Sequence, residues 1–399
     1  MNKKVMSRAG RSKQRSRRPT VSRTARLIAA ATALLLGAAA CGTGSGSGGG
    51  DTPSGSSGGE GGDQKVVKAA WVYVGPKNDG GWTTAHDNGR LAVEEQFGDQ
   101  VETDYVESVP EEPAAAARAI EGFARKGYDI IFTTSFGFMD PTLEIAKKYP
   151  DVLFEHCSGF KSAENMANYF GAMEEAKYLA GMAAGAATEN GQLGKVNAFP
   201  IPEVIRLTNA FMLGARSVNP DATMKVVFTN SWFDPPKEKS AAESLLDAGA
   251  DVLTQDVDSP ATGQVAGAAG ADWVGYNSDA SQFAPQAWLT APVWDWSGYY
   301  IDRVQAVIDG SWKSGSYYGD LSDGIVDLAP YGEGVDSKTK DLIAAMRKRI
   351  EADQFEVFQG PVRDQGGEVV VAEGESPPLE DLLSMDYFVE GIESRLPSS

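Results

Sequence analysis

The chain has 399 residues, with 36 Lys and Arg against 55 Asp and Glu, a net charge of −19, and only two His and two Cys. So acidic a body argues against nucleic acid or anionic lipid as partners, and two histidines leave no multi-histidine metal site. Two cysteines provide no disulfide framework.

In chain order, residues 1–26 hold ten Lys or Arg and no acid, so the rest carries 26 bases against 55 acids, or −29. The apolar stretch Leu27 to Ala40 is alanine-rich and shorter than the roughly 20 apolar residues a membrane span needs. It ends at Cys41 and gives way to residues 42–64, which are mostly Gly, Ser, Thr and Asp. This order reads as an export signal followed by a disordered tether of roughly 25–30 Å reach. The run Leu34-Leu35-Leu36-Gly37-Ala38-Ala39-Ala40-Cys41 resembles the lipobox of bacterial lipoproteins. That resemblance implies that Cys41 carries lipid and anchors the protein to the outer face of the cell membrane. An ordinary cleaved signal with a chance cysteine is the alternative. Cys157 then has no partner and reads as a small buried residue, and neighbouring strand residues face opposite ways, so His156 is badly placed to activate it.

Folding is expected from Lys65 to about Leu396, which is long for one hydrophobic core and points to two lobes. Apolar, β-rich runs predict strands at Val66–Val74, Val101–Val106, Asp129–Thr134, Val152–His156, Lys195–Phe199, Met224–Thr229, Asp251–Gln255 and Trp273–Tyr276. Between them, helical patterns cover Thr83–Gln96, Ala114–Lys126, Pro141–Lys148, Glu174–Thr188, Glu203–Ser217 and Lys237–Ala248. Alternation of this kind predicts an α/β fold with doubly wound parallel sheets. The Ala/Gly-rich stretch Tyr178 to Gly185 allows close helix packing. After Ala329, a helix over Ser337–Ala352 and a hairpin within Glu356–Val371 read as an addition to one lobe that contributes nothing to the ligand.

Ligands of parallel α/β sheets bind beyond the carboxyl ends of the strands. There this sequence places Asn78, Asp79 and Trp82; Phe136, Phe138 and Asp140; Trp232 and Asp234; Asp256 and Asp258; Asn277 and Asp279; and Trp294 to Trp296. Four of the eight tryptophans fall in these segments. Aromatic faces beside carboxylates and carboxamides suit a flat polar ligand: stacking contributes ~1–3 kcal/mol per ring, and a hydrogen bond to a charged acceptor ~1.5–3. A sugar ring fits the same inventory as a purine. Asp79, Asp140 and Asp234 also precede helical stretches, where N-capping is the usual role of Asp. One of Phe136 and Phe138 reads as core, as does one of Trp294 and Trp296, while Trp71, Trp273, Trp288 and Trp312 read as packing or surface. No calcium-type Asp cluster, serine elbow or paired-carboxylate signature is present, which argues against an enzyme such as a nucleoside hydrolase. No cofactor, catalytic residue or metal site is expected.

Several stretches together carry a family resemblance: Trp71-Val72-Tyr73-Val74-Gly75-Pro76 with Asp79-Gly80-Gly81-Trp82; Thr134 to Asp140; Tyr169-Phe170-Gly171; Phe199-Pro200-Ile201-Pro202-Glu203-Val204-Ile205-Arg206; Asn230 to Pro235; Gly249 to Val252; and Tyr276-Asn277-Ser278-Asp279. The body, about residues 65–395, resembles the basic membrane protein (Bmp/Med-like) family of substrate-binding lipoproteins of ABC transporters. The resemblance implies a type I periplasmic-binding-protein fold of two lobes, residues 65–172 with about 293–325 and residues 173–292 with about 326–399. It implies a purine base or nucleoside as ligand and an ABC permease as partner; a monomer is expected. Carried over by motif, Trp82 and Trp232 sandwich the base, Asn78 or Asp79 and Asp279 meet its edge, and Asp140 lies on the ribose side; Phe136, Phe138, Asp234, Asn277 and Trp294 complete the expected site. The ribose Lys of nucleoside-binding relatives should fall near Trp294-Asp295-Trp296, where no Lys stands, so the resemblance favours a free base such as adenine.

Overall fold

The computed structural model describes residues 65–397. The expected signal, Cys41 and the tether lie outside the described residues. From Lys65 the chain alternates strand and helix: β1 (Val67–Val72), α1 (Trp82–Phe97), β2 (Val101–Val106), α2 (Pro113–Arg125), β3 (Ile130–Thr133), α3 (Met139–Lys148), β4 (Leu153–Cys157) and β5 (Met166–Gly171). A second series follows: α4 (Met173–Ala187), β6 (Gln192–Asn197), α5 (Pro202–Val218), β7 (Thr223–Phe228), α6 (Pro235–Asp247), β8 (Val252–Asp256), α7 (Ala261–Ala269), β9 (Asp272–Val274) and β10 (Trp288–Thr290). The chain then runs through β11 (Pro292–Trp294), α8 (Ser297–Ile308), β12 (Ser316–Gly319), β13 (Val326–Leu328), α9 (Ser337–Glu351), β14 (Val362–Arg363), β15 (Val369–Val371) and α10 (Leu379–Leu382).

Two parallel sheets result, ordered β12-β5-β4-β3-β1-β2 and β10-β9-β8-β6-β7. The central strands, such as β1 and β3, are buried on both faces, as crossover helices require, which is why they read as largely apolar runs, while the edge strand β2 is mostly half-exposed. The chain passes between the sheets after β5, between β10 and β12, and again after β12; β11 and β13 pair antiparallel where the last two passages run side by side. In the second series α4 and α5 cross closely: a Cβ on Gly214 would stand 2.0 Å from the Tyr178 carbonyl, and one on Gly181 2.1 Å from that of Phe211. Only Gly permits that approach.

Three kinds of element differ from the sequence reading. β5 carries Tyr and Asn among its apolar residues and so lacked a clear strand pattern, while β10 to β13 are three or four residues long, too short for periodicity to register. α7 is built almost wholly of Ala, Gly and Val and has no polar face to reveal it. The segment after Ala329 forms α9, which packs on α4, and the β14–β15 hairpin. The chain then returns to the edge of β7, where Met224 N–H donates to Gly391 O and Glu393 N–H to Met224 O, at 2.9 and 2.8 Å.

Candidate functional site

Between the carboxyl ends of the two sheets lies a crevice with about 370 Å³ of empty space, part of it open to solvent. A water molecule's centre can occupy only about 30 Å³ of it, so the space is a narrow slot.

One wall comes from the first sheet: Val74, Trp82, Ser135, Phe136 and Ser158. Trp82 opens α1 and is fixed from three directions. Its Nε1 donates to the Thr134 carbonyl at 2.6 Å. The turn before it is shaped by Gly80 at φ 83°, and Gly81 lies so near the opposite wall that a Cβ would meet the Asp258 carbonyl at 2.7 Å. Behind it, Trp294, Trp296 and His86 form a stacked column, with centroids 4.5 and 4.7 Å apart and planes within 16° and 9°. All three meet Trp82 edge-on, at 80–84°. His86 Nδ1 lies 2.6 Å from the Tyr300 hydroxyl, and burial holds the imidazole well below its usual pKa, so the column is uncharged at neutral pH.

The opposite wall comes from the second sheet: Glu203, Trp232, Asp258, Tyr276 and Asn277. Asp258 is 3% exposed, and burial pushes its carboxyl well up, with the charges of Asp79 and Glu238 adding to the effect. The Asn277 Nδ2 donates to it at 3.1 Å, and the Trp82 backbone N–H from the first wall opposes the rise. Asn277 stands at φ 67°, a left-handed conformation Asn tolerates better than most residues. Glu203 sits in the first turn of α5, partly accessible through the slot, and burial pushes it up to about 7 while Arg206 pulls it down. Behind this wall, Lys177, Asp256 and Lys195 are fully buried together. Lys195 Nζ lies 2.7 Å from Asp256, which also pairs with Lys177, and Lys177 Nζ lies 3.8 Å from the Tyr276 ring centre. The walls touch at the mouth: Trp232 Nε1 donates to Glu111 at 3.2 Å, and Ser278 Oγ to the Gly80 carbonyl at 2.6 Å.

Of the residues singled out in the sequence, the structure brings Trp82, Phe136, Trp232 and Asn277 to the slot. The others are elsewhere, for identifiable reasons. Phe138 is fully buried in the core between α2, α3 and the first sheet. Asn78 is exposed. The Asp79 carboxylate accepts the backbone N–H groups of Gly81, Thr83 and Thr84 at 2.8–3.0 Å, so it satisfies the free donors that open α1. Asp140 is exposed and pairs with Lys161 at 2.5 Å. Asp234 caps α6, accepting from Lys237 N–H at 3.2 Å, and Asp279 accepts from Ser281 N–H at 3.0 Å on the surface. Trp294 is 5% exposed and one layer back, where its Nε1 donates to Asn277 Oδ1 at 3.0 Å.

Sequence reasoning named Asp258 at a strand end, and Glu203 and Tyr276 within the resembling stretches, but gave none of the three a ligand role. Each stands at a carboxyl-terminal strand end or the helix start after it, so the topological rule covers them. What hid the two acids is that a lone acid in such a loop looks like any other cap.

Comparison with known proteins adds a second line of observation. The family model described as ABC transporter substrate-binding protein PnrA-like (Bmp) matches residues 66–354. A purine-binding protein of Brucella abortus is 43% identical over 340 residues, covering 85% of this chain and 97% of that relative. A protein of Haloferax volcanii, provisionally named an ABC transporter glucose-binding protein, is 42% identical over 343 residues, covering 86% and 84%. Among solved structures, a solute-binding protein of an ABC transporter system from Aeropyrum pernix matches with a TM-score of 0.65 at 17% identity, over 79% of this chain and 97% of that one.

Proposed function

The chain belongs to the PnrA-like (Bmp) family of ABC-transporter substrate-binding proteins, and we propose that its ligand is a free purine base held in the slot between the two walls. Members of this family are extracytoplasmic solute-binding proteins rather than enzymes, and they work with a membrane permease. The fold is the two-lobed α/β architecture of periplasmic binding proteins.

The observation that carries the purine reading is the slot itself: narrow, with Trp82 and Phe136 on one side, Trp232 on the other, and the carboxyls of Glu203 and Asp258 at its edge. A planar heteroaromatic ring fills such a space by stacking and offers N–H groups to the acids. We assign ligand contact to Trp82, Phe136, Trp232, Glu203, Asp258 and Asn277. No Lys or Arg is among the residues lining the slot, which favours a base over a nucleoside or nucleotide. The purine-binding relative from Brucella supports the same reading. Capture is by hinged closure of lobe 1, residues 65–172 with about 293–325, on lobe 2, residues 173–292 with about 326–399, and the ligand shifts that equilibrium only by its differential affinity for the closed form. The protein is a monomer, tethered by lipid at Cys41 outside the cytoplasm.

A sugar is the second reading, favoured by the Haloferax relative at almost equal identity and by the affinity of tryptophan faces for pyranose rings. Titration calorimetry with adenine, guanine, adenosine, guanosine, glucose and ribose decides between them. Binding of a free base in the micromolar range or tighter, weakened about 10- to 100-fold by Trp82→Ala, is the expected result. Response to glucose with silence toward every purine sinks the proposal. Mass spectrometry of the mature amino terminus tests the lipid at Cys41.

A further inference from the structure

Arg206 stands one turn behind Glu203 on α5 and is 1% exposed. Its Nε donates to Glu174 at 3.3 Å and its Nη1 to the Leu382 carbonyl at 3.2 Å, while Nη2 finds no hydrogen-bond partner. Glu174 in turn accepts from the Tyr318 hydroxyl at 3.2 Å on each oxygen. Side chains of α4 and β12 and the carbonyl of α10 thus hold one guanidinium against the helix turn that puts Glu203 into the slot. Leu382 lies beyond the family-matched stretch, so the chain after residue 354 contacts the residue one turn behind Glu203. The guanidinium pairs with Glu174 and acts on Glu203 as a fixed neighbouring charge.

We propose that Arg206 is a positioning residue that sets which purine edge the slot accepts, by governing whether Glu203 meets the ligand as a carboxylate or as a carboxylic acid. This rests on the purine reading above. A carboxylate accepts two parallel N–H bonds, the pattern of guanine's N1–H and exocyclic amine. A carboxylic acid accepts one N–H and donates one O–H, the pattern of adenine's exocyclic amine beside a ring nitrogen. Glu203 is poised between the two forms, since burial raises it to about 7 against the pull of Arg206. Other charges facing it are Glu174 from α4, Asp256 from β8 with its two lysines, and Glu111 from the loop before α2, and these acids oppose its ionisation. Asp258 shares the slot.

The test is intrinsic fluorescence titration of the full chain with guanine and adenine at pH 6, 7 and 8. Because one form binds guanine and the other adenine, the ratio of guanine to adenine affinity should rise about 100-fold from pH 6 to pH 8. Glu203→Gln, whose amide donates and accepts at every pH, should bind adenine with no pH dependence. Removing the cation with Arg206→Gln should move the crossover to higher pH, and Glu174→Gln, which removes an opposing acid and frees the guanidinium, should move it lower. A merely structural role does not shift it in opposite directions. A pH-independent ratio in the wild type, or a crossover that neither variant moves, overturns the inference and leaves the purine reading standing. If Arg206→Gln does not fold, Glu174→Gln alone decides. Failure of the wild type to bind either base at any pH overturns both.

Discussion

The two walls of the slot are built on different physics. The first-sheet wall is aromatic and backed by more aromatics: Trp82 rests on the column of Trp294, Trp296 and His86, and its nearby acids are spent elsewhere, Asp79 on the start of α1 and Asp140 on Lys161. The second-sheet wall is polar and backed by buried charge, with Lys177, Asp256 and Lys195 behind Tyr276, and Arg206 and Glu174 behind Glu203. On the proposed reading, one side offers a rigid surface for stacking, while the other meets the ligand's edge. Apolar backing is cheap to maintain because it satisfies itself; polar backing requires every charge to keep its partner.

The largest expected effect follows from that asymmetry. Asp256→Asn leaves two buried ammonium groups beside a neutral amide and should cost about 3–5 kcal/mol of folding stability. Burial lowers Lys177 to about 7, against the pull of Asp256. A lysine so lowered binds more protons unfolded than folded, so the variant's thermal midpoint should recover as pH rises from 6 toward 9. A variant with the wild-type midpoint at pH 6 would mean that the second wall does not depend on its buried charges.

Next comes Asp258→Asn, where binding and stability should move in opposite directions. The folded protein raises this carboxyl well above its unfolded value, so its ionisation opposes folding increasingly as pH climbs above the ordinary carboxylate range. The amide removes that penalty, and the ligand-free protein should melt higher at pH 7. Ligand affinity should fall up to about 10-fold with the loss of the carboxyl's hydrogen bond to the ligand. Calorimetry and a thermal melt on the same sample check both signs.

The division of labour also explains what could be read in the sequence. The alternation of apolar runs and amphipathic stretches sufficed for the α/β class and for most strands of both sheets. Trp82 and Trp232, picked out as large aromatics in loops at strand carboxyl ends, do line the slot. Acids were not separable in this way. Asp79 and Asp234 precede helices as Asp258 precedes α7, and Asp140 lies in the first turn of α3, yet only Asp258 faces the slot: Asp79 and Asp234 take up the backbone N–H groups that open α1 and α6, and Asp140 pairs with Lys161. That is a property of loop geometry, invisible to spacing. Trp294 shows the same limit in an aromatic: its place one layer behind Trp82 depends on the β11–β13 pairing, which neither three-residue strand announces.

Across the mouth the contrast narrows, since each wall contributes one half of a latch. Trp232→Phe keeps the ring and deletes the Nε1 donor to Glu111, while the Ser278 bond to Gly80 remains. The expected loss is about 0.5–1.5 kcal/mol, up to roughly 10-fold in affinity, and it should appear as faster ligand release with little change in the association rate. Stopped-flow fluorescence separates the two rates; a loss confined to association would show that the latch does not hold the closed form.

The smallest effect belongs to the acid that the family resemblance placed on the ribose side. Asp140 is exposed and its partner Lys161 is half-exposed, so Asp140→Asn removes a surface ion pair worth up to about 1 kcal/mol. Affinity for a free base should stay within about twofold of wild type by calorimetry. Nucleoside affinity is the sharper readout. A drop confined to nucleosides would mean that the first wall turns Asp140 inward to meet a sugar, and the clean split between a stacking wall and an edge-reading wall would then hold only for bases.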